Sequence, residues 1–291
     1  MAKAATKASP KAAAKPAAKT KAPVKAAAKS AAKSAAKGQS KFVWYDVMTT
    51  DMKAAEKFYR AAIGWGAMPA DNPSGPYTVF SMGTTMVGGL MPIPEDARKM
   101  GTQPAWMGYI GVPDTDAFCK KVVAAGGAIH KKPTDIPGVG RFAVAADPGG
   151  AGFLLFTPNT TEQPAAVSPN ATGRIGWHDL RAGNLDAAWN FYSKLFGWTK
   201  SRAIDMGPMG VYQIFAIDGV DVGGMMTKTP DIEHAHWLYY FNVNALDAAV
   251  TRVTKGKGRI TRPAHEVPGG QWIAHCTDPH GAAFALVAPK R

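Results

Sequence analysis

The chain contains 291 residues, 46% of them apolar, and carries a formal net charge of +13. This length predicts about two domains. The charge is uneven, because residues 1–41 hold eleven lysines and no acid, whereas the remainder holds 23 basic and 21 acidic groups. A basic groove across the whole folded body is therefore excluded. Two cysteines are too few for a disulfide framework or a four-thiolate zinc site, and no apolar run reaches the roughly 20 residues that span a bilayer.

The first 41 residues consist mainly of alanine, lysine and proline, with lysine at nearly every fourth position. Lysines at this spacing repel one another and three prolines interrupt a helix, so we expect a disordered tail. The composition resembles the tails of linker histones and bacterial histone H1-like proteins, which implies sequence-independent binding to DNA or RNA phosphates. The alternative is a solubilising extension. The lysines expected to bind polyanions are Lys3, Lys7, Lys11, Lys15, Lys19, Lys21, Lys25, Lys29, Lys33, Lys37 and Lys41.

The rest of the chain contains an internal repeat, which appears when the sequence is compared with itself. The segment FVWYDVMTTDMKAAEKFYRAAIGW at 42–65 aligns without a gap with IGWHDLRAGNLDAAWNFYSKLFGW at 175–198. Further along, DPGGAGFLLFTP at 147–158 matches DPHGAAFALVAP at 278–289. The polar, proline-bearing stretch between the copies is typical of a linker. We therefore predict a tail at 1–41, a first domain at 42–158, a linker at 159–173 and a second domain at 174–291.

Each copy divides again into two similar halves. In the first half a short strand precedes a helix, because Asp51 is a suitable N-cap, apolar residues such as Ala54 and Phe58 recur at helical spacing, and Gly64 ends the pattern. The second half repeats this order, so a unit of one strand, one helix and two or three strands occurs four times. In the first copy the predicted strands are 42–48, 77–82, 85–92, 106–112, 140–147 and 152–156, and the predicted helices are 51–62 and 114–125.

These motifs together resemble the vicinal oxygen chelate superfamily, also called the glyoxalase, bleomycin resistance protein and dioxygenase group. The resemblance is carried by the helix that ends in Phe-Tyr before Gly-Trp, by the closing DPxGAxFxL strand, and by their order in both copies. It covers residues 42–289 and looks closest to a two-domain bacterial branch. The resemblance implies an α+β fold of four βαβββ modules, paired into two glyoxalase-like domains that each surround a cavity.

Metal-using members of this superfamily take His, Gln or Glu ligands from the first and last strands of their modules. Carried over one position at a time, the resemblance places these ligands at residues that lack a nitrogen or carboxylate donor. A divalent metal needs at least three such groups. We therefore expect no metal cofactor at the inherited positions, and a divalent metal held elsewhere is the alternative. The inherited positions are Trp44, Met107, Leu154, Trp177, Leu238 and Ala285.

One carboxylate recurs beside these positions in both copies. Asp46 and Asp179 follow the first-strand ligand position by two residues, so the period of a strand places them on the same inward face. In an apolar cavity such a carboxylate can act as a general base or accept a hydrogen bond from a ligand. The alternative is an architectural carboxylate that holds a backbone N–H or a neighbouring tryptophan indole. Asp46 and Asp179 are the candidate catalytic residues.

Aromatic residues and glycines complete the two predicted cavities. Tyr109 and Tyr240 lie two residues beyond inherited positions, and a glycine pair in each copy has no side chain to fill the adjoining space. Aromatic walls with one carboxylate suit a small, partly apolar, aromatic or cationic ligand, and simple core packing is the alternative. The predicted ligand-binding residues are Trp44, Asp46, Gly88, Gly89, Met107, Tyr109, Leu154, Trp177, Asp179, Gly223, Gly224, Leu238 and Tyr240.

Six of the seven histidines lie in the second copy, but their spacing does not favour a metal site. His178 should face away from the ligand position and His265 should lie in a loop, so only His236 should share the inward face. Cys119 and Cys276 are expected in the core.

The leading hypothesis is a small-molecule-binding protein on a glyoxalase-like scaffold, without the usual metal and with a polyanion-binding tail. The first alternative is an enzyme of the same superfamily, of lyase, isomerase or dioxygenase type, because the scaffold does not fix the chemistry. The second is a nucleoid-associated protein that acts through its tail. The N-terminal region lacks the apolar segment of a secretory signal, so we expect a cytoplasmic bacterial protein, nucleoid-associated if the tail binds DNA, and no membrane partner.

Overall fold

Sixteen strands and five α-helices form the part of the chain that a computed structural model describes, which comprises residues 1, 40–72, 75–160 and 168–291. The predicted tail lies outside these residues except for Met1, Ser40 and Lys41. The first repeat contains β1 (Phe42–Thr49), α1 (Met52–Ile63), β2 (Gly66–Ala70), β3 (Tyr77–Met82), β4 (Thr85–Pro92), α2 (Glu95–Lys99), β5 (Ala105–Gly111), α3 (Thr115–Ala124), β6 (Ala128–Ile136), β7 (Gly140–Ala146) and β8 (Gly152–Pro158). The second contains β9 (Ile175–Ala182), α4 (Leu185–Phe196), β10 (Thr199–Asp205), a 3₁₀ turn (Gly207–Met209), β11 (Val211–Ile217), β12 (Val220–Thr227), β13 (His236–Asn242), α5 (Leu246–Lys255), β14 (Arg259–Val267), β15 (Gln271–Thr277) and β16 (Ala283–Ala288).

The strands form two eight-stranded mixed sheets, one from each sequence repeat. Their orders are β2-β3-β4-β1-β5-β8-β7-β6 and β10-β11-β12-β9-β13-β16-β15-β14. Strand β1 runs parallel to β4 and antiparallel to β5, and β9 makes the same pairings with β12 and β13. Each repeat thus contains two strand–helix–three-strand modules joined side by side through their first strands. The predicted α+β fold of four βαβββ modules, two in each repeat, is confirmed.

The second strand of each module, whose presence the sequence analysis left open, lies at a sheet edge. These strands are β2, β6, β10 and β14, and three of them contain a proline, namely Pro69, Pro133 and Pro263. An edge strand has one unpaired side, so it accommodates a residue without an N–H. The expectation that His265 lies in a loop is wrong, because this residue belongs to β14 and pairs in register with Ile273.

Short polar residues begin three of the helices, as the sequence predicts for Asp51. The side chains of Asp51, Asp114 and Asn184 each accept a hydrogen bond from the backbone N–H three residues later, at 2.9–3.0 Å. Helices α1 and α4 both end at a glycine with left-handed backbone, Gly64 and Gly197. None of the described helices has both the length and the apolar content that crossing a bilayer requires.

The two sheets share one hydrophobic core. They contact each other through β5, β8, β13 and β16, while α1 packs against α5 and α3 against α4. Phe58 on α1 places its ring 6.0 Å from that of Phe284, and Tyr192 on α4 lies 5.8 Å from Phe153. The first helix of each repeat therefore packs against the other repeat. Residues Gly38–Arg291 form one compact unit.

The motifs that repeat in the sequence meet at this domain interface. The indole of Trp106 donates to the Tyr59 hydroxyl at 2.8 Å, and that hydroxyl donates to Asp278 of the other repeat at 3.1 Å. The equivalent indole, Trp237, donates to the Tyr192 hydroxyl at 3.0 Å. The tyrosine of the Phe-Tyr pair and the aspartate of the DPxG turn thus join the two domains.

At another position of the interface the repeats have diverged. The backbone N–H of Gly108 donates to the Tyr239 hydroxyl at 2.7 Å, and the two residues are equivalent in the repeats. A Cβ atom at Gly108 would stand 2.7 Å from that hydroxyl and 2.8 Å from the Phe42 ring. The tyrosine of the second copy therefore fills the space that the glycine of the first copy leaves open.

Candidate ligand-binding site

The face of the first sheet that lies opposite the shared core, here called its distal face, carries a hydrogen-bonded cluster around Asp46. One oxygen, Oδ1, accepts from the Trp44 indole at 2.9 Å and from the Tyr77 hydroxyl at 2.6 Å. The other oxygen, Oδ2, accepts from the Tyr109 hydroxyl at 2.5 Å. Strand alternation brings Trp44 and Asp46 to this face of β1, while Val47 packs in the core. We call these four residues the Asp46 cluster.

Burial governs the electrostatics of this cluster. Asp46 is 4% exposed, and desolvation raises its pKa, against the lowering effect of the hydrogen bonds from Tyr109, Tyr77 and Trp44. Burial and the nearby carboxylate together raise the pKa of both tyrosines, so their hydroxyls stay protonated and donate. A carboxylate has about four acceptor positions, and three are used here. Asp46 therefore has little free capacity to take up a proton from a substrate.

The glycine pairs of β4 and β12 allow close contacts within each domain. A Cβ atom at Gly89 would collide with the Tyr77 hydroxyl and the Asp46 carboxylate, and one at Gly224 would collide with Tyr212. Gly88 and Gly223 face the other side of their strands, and a Cβ at Gly88 would stand 2.8 Å from a backbone carbonyl oxygen of β1. The space beside all four glycines is occupied by protein atoms of the same sheet.

The second sheet carries an equivalent cluster around Asp179, which is 3% exposed. Its Oδ1 accepts from the Trp177 indole at 3.1 Å and from the Tyr212 hydroxyl. Its Oδ2 accepts from the Tyr240 hydroxyl at 2.7 Å and from Arg181 at 3.3 Å. The Asp179 cluster, made of these five residues, thus differs from the Asp46 cluster by a guanidinium.

A histidine extends the Asp179 cluster. His275 Nε2 lies 3.1 Å from the Tyr240 oxygen. Because the Tyr240 hydroxyl already donates to Asp179, its oxygen accepts this bond and His275 carries a proton on Nε2. Burial, followed by the cations Arg181 and Arg262, lowers the pKa of His275 to about 3, so the ring is neutral near pH 7.

The histidines are distributed differently from the prediction. His236 occupies the same face of β13 as Leu238 and Tyr240, as expected, and burial lowers its pKa. The expectation that it is the only histidine there is wrong, because His275 also reaches the cluster. His178 lies at the domain interface, on the opposite face of β9. Cys119 and Cys276 are buried thiols, as predicted.

The inherited metal positions surround the two carboxylates with apolar side chains. Met107 pairs in register with Asp46, and Leu238 pairs with Asp179, so both lie directly beside a carboxylate. The chain offers one carboxylate per site, and its oxygens are taken by three or four donors. Within the described residues no group of three or more His, Cys, Asp or Glu side chains is arranged to hold a metal ion. The residues at these positions therefore do not fit the divalent metal of the superfamily.

Sequence reasoning missed three members of the clusters, Arg181 and the equivalent tyrosines Tyr77 and Tyr212. The two tyrosines belong to the second-last strand of their first module, more than 30 residues from the aspartate they contact. A signal was present, since each tyrosine stands twelve residues before the second glycine of its pair, Gly89 or Gly224. Together with Trp44 and Trp177, these tyrosines make the two clusters alike.

The family model described as the Glyoxalase/Bleomycin resistance protein/Dioxygenase superfamily matches residues 41–155 and 174–286 of the chain. A protein of Mycobacterium tuberculosis named "Putative glyoxylase CFP32" is 32% identical over 250 residues, which cover 84% of this chain and 94% of that protein. The anthracycline biosynthesis protein DnrV of Streptomyces peucetius is 31% identical over 259 residues, with 84% and 91% coverage.

Two solved structures share the fold at low sequence identity. The Mn(II)-bound glyoxalase from Novosphingobium aromaticivorans has a TM-score of 0.55 at 17% identity and covers 86% of this chain and 82% of its own. The 2,3-dioxygenase LapB from Pseudomonas sp. KL28 has a TM-score of 0.58 at 11% identity, with 86% and 91% coverage. With the family match across both repeats, these findings show that the chain belongs to the glyoxalase, bleomycin resistance protein and dioxygenase superfamily.

Proposed function

We propose that the protein binds a small aromatic molecule on the distal faces of its sheets, without a divalent metal at the usual positions of the superfamily. The observation that carries this proposal is the repeated cluster in which a tryptophan and two tyrosines fix one carboxylate. A partly exposed aromatic ring held rigidly beside a single polar anchor is the arrangement that ligand sites use for orientation.

The surroundings of the Asp46 cluster favour an aromatic ligand. Met48, Met91 and Met107 lie partly exposed on β1, β4 and β5, and the Phe156 ring lies 6.1 Å from that of Tyr109. Methionine side chains adapt their shape and contact aromatic rings favourably. The relative named for anthracycline biosynthesis supports a planar, polycyclic aromatic ligand.

Isothermal titration calorimetry with daunorubicin, an anthracycline, tests this proposal. The unmodified chain should bind it saturably. The double variant W44L/W177L should lose the binding because both clusters lose their exposed ring, whereas W189L on α4 serves as a control away from both clusters. Absence of binding to the unmodified chain, or equal binding by W44L/W177L, would contradict the proposal.

The metal-free part of the proposal has its own measurement. Elemental analysis of protein purified without chelator should find manganese, iron, nickel and zinc well below one equivalent per chain. One equivalent of metal that is lost in D46N or D179N would contradict the proposal. That result would favour the alternative of a metal-dependent lyase, isomerase or dioxygenase.

For the tail we propose binding to polyanions such as DNA or RNA, supported by its eleven lysines and the absence of acids. Ten of them precede the folded unit, while Lys41 forms an ion pair with Asp218 at 2.9 Å. If every lysine bound a phosphate, the slope of log K against log salt would approach about −10, at roughly −0.9 per contact. We expect about half of that slope, because only some of the lysines will contact a phosphate at the same time.

The test compares the full chain with one that lacks residues 2–37, using unrelated DNA duplexes in a fluorescence anisotropy titration. The shortened chain should not bind, and its thermal stability should be unchanged. Equal binding by both chains would show that the basic site lies in the folded domains. No binding by either chain at low salt would favour a solubilising role for the tail.

A further inference from the structure

The two distal faces share a carboxylate cluster but differ in the charge around it. In the second repeat the Asp179 carboxylate has five arginine and histidine side chains on its face of the sheet, here called the basic rim: Arg181, His236, Arg262, His265 and His275. The equivalent positions of the first repeat are Met48, Ala105, Lys131, Thr134 and Val144. At four of these five positions the first repeat has an uncharged side chain other than histidine, whereas the second repeat has arginine or histidine.

The strand register brings the rim together. Arg181 pairs with His236, and Arg262 pairs with His275, so the members of each pair stand side by side on one face. The first repeat has the same register, in which Met48 pairs with Ala105. Two residues of the rim, His265 and His275, have ring centroids 6.4 Å apart.

The rim holds more positive than negative charge in a partly buried setting. Arg181 is 13% exposed, and its carboxylate partner Asp179 is already bonded to an indole and two hydroxyls. Arg262 forms no ion pair in the part of the chain that the structure describes. The two guanidinium groups thus carry one more charge than Asp179 balances, and the exposed Arg262 is available to pair with a bound anion.

We propose that the distal face of the second sheet binds the carboxylate of an aromatic organic acid, with Arg181 and Arg262 as its cationic partners. A planar carboxylate matches the two-pronged geometry of a guanidinium, and one negative charge balances the excess of two arginines over Asp179. The partly exposed ring of Trp177 would contact the aromatic part. This inference rests on the proposed function, because it assigns a ligand class to one of the same two faces.

A pair of probes that differ only in charge tests it. Calorimetric titration with 2-naphthoate and with its neutral counterpart 2-naphthamide should show naphthoate binding about tenfold more tightly, as hydrogen bonds to charged groups predict. The variant R262Q should reduce this preference to less than about threefold. Because Arg262 is exposed, the variant should fold normally. The matched control is K131Q, which changes the equivalent residue of the first repeat and should leave the preference unchanged.

A second variant, R181M, installs the residue of the first repeat and should also remove the preference. Equal binding of the two probes, or equal behaviour of R262Q and K131Q, would overturn the inference. Competition by inorganic phosphate that exceeds competition by acetate would overturn the carboxylate assignment. If neither naphthalene compound binds while daunorubicin does, the anion site alone is wrong. If none of the three binds, the proposed function is wrong as well.

Discussion

Tyr45 and His178 occupy the same position in the two repeats, and they hydrogen-bond to each other across the domain interface. The Tyr45 oxygen lies 2.6 Å from His178 Nε2, and His178 Nδ1 lies 2.7 Å from the Val222 carbonyl oxygen. Nδ1 must therefore carry the proton, and Nε2 accepts from the tyrosine hydroxyl. The imidazole also stacks on Phe42, with ring centroids 4.1 Å apart. A neutral histidine is thus part of the surface that joins the repeats.

This pair predicts that stability falls in mild acid. Burial lowers the pKa of His178 to about 4 in the folded protein, whereas an unfolded histidine titrates near 6.5. Between these pH values the unfolded chain binds a proton that the folded chain does not. The contribution of His178 to the free energy of unfolding is therefore greatest above about pH 6.5 and decreases as the pH falls towards 4. The loss should total about 3 kcal/mol.

Denaturant unfolding at a series of pH values measures this effect. The variant H178Q retains an acceptor for Tyr45 and a donor for Val222, and it should flatten the slope between pH 4 and 6.5. His275, whose folded pKa is also lowered, will maintain part of the slope in that variant. H130Q, which changes an exposed histidine, is the control. An unchanged slope in H178Q would show that the histidine does not contribute.

The Asp46 cluster should stabilise the first domain. In D46N an amide N–H₂ replaces one oxygen, so a hydroxyl donor loses its acceptor while the shape stays the same. We expect the free energy of unfolding to decrease by about 1–3 kcal/mol, the typical cost of an unsatisfied buried group. Urea denaturation compares D46N with D71N, an exposed aspartate at the end of β2. Equal stability of both variants would contradict the hydrogen bonds described here.

Position 89 should require a glycine, because the Tyr77 side chain occupies the space where a Cβ atom would lie. G89A would drive Tyr77 away from Asp46, and overpacking of this kind typically costs about 1–3 kcal/mol or more. The double variant G89A/Y77A removes the obstructing ring, so its destabilisation should be smaller than the sum of the single effects. Additive effects in thermal unfolding would show that the two side chains do not compete for space. G152A is a milder control, because the atoms nearest to its Cβ belong to the flexible end of Met107.

The sequence predicted the fold well where its signals are local. The helices were predicted from the N-caps Asp51 and Asp114 and from the terminal Gly64. The two domains were predicted from the duplicated motifs. The edge strands were not separately predicted, because Pro69 and Pro133 are compatible with a strand only when one of its sides is unpaired. That condition is a property of the sheet and not of the segment itself.

The candidate site was predicted only in part, for a similar reason. Strand periodicity correctly brought Trp44, Asp46 and Tyr109 together. Tyr77 reaches the same carboxylate from β3, and only the order of strands in the sheet shows that β3 lies close enough. His275 was missed because it lies 35 residues from Tyr240 in the sequence. The two residues come close because both pair with Ala285 of β16, the strand between theirs.

The tyrosines that join the domains should make the two halves energetically dependent. In Y59F the Trp106 indole loses its acceptor and Asp278 loses a donor, and Tyr59 is fully buried. We expect a loss of about 2–3 kcal/mol in the free energy of unfolding, with both domains unfolding in one transition. A double-mutant cycle with D278N should show coupling, since the two residues share a bond. Two separate transitions, or strict additivity, would contradict this dependence.

The contact between Gly108 and Tyr239 has an evolutionary consequence. A dimer of two first halves would lack the equivalent of Tyr239 and would have a void at the domain interface. A dimer of two second halves would place two phenol rings where only one fits. With the copies different at this position, a symmetric homodimer of either half should be less stable than the fused chain. Recombination between related genes should therefore be tolerated best where a first half remains joined to a second.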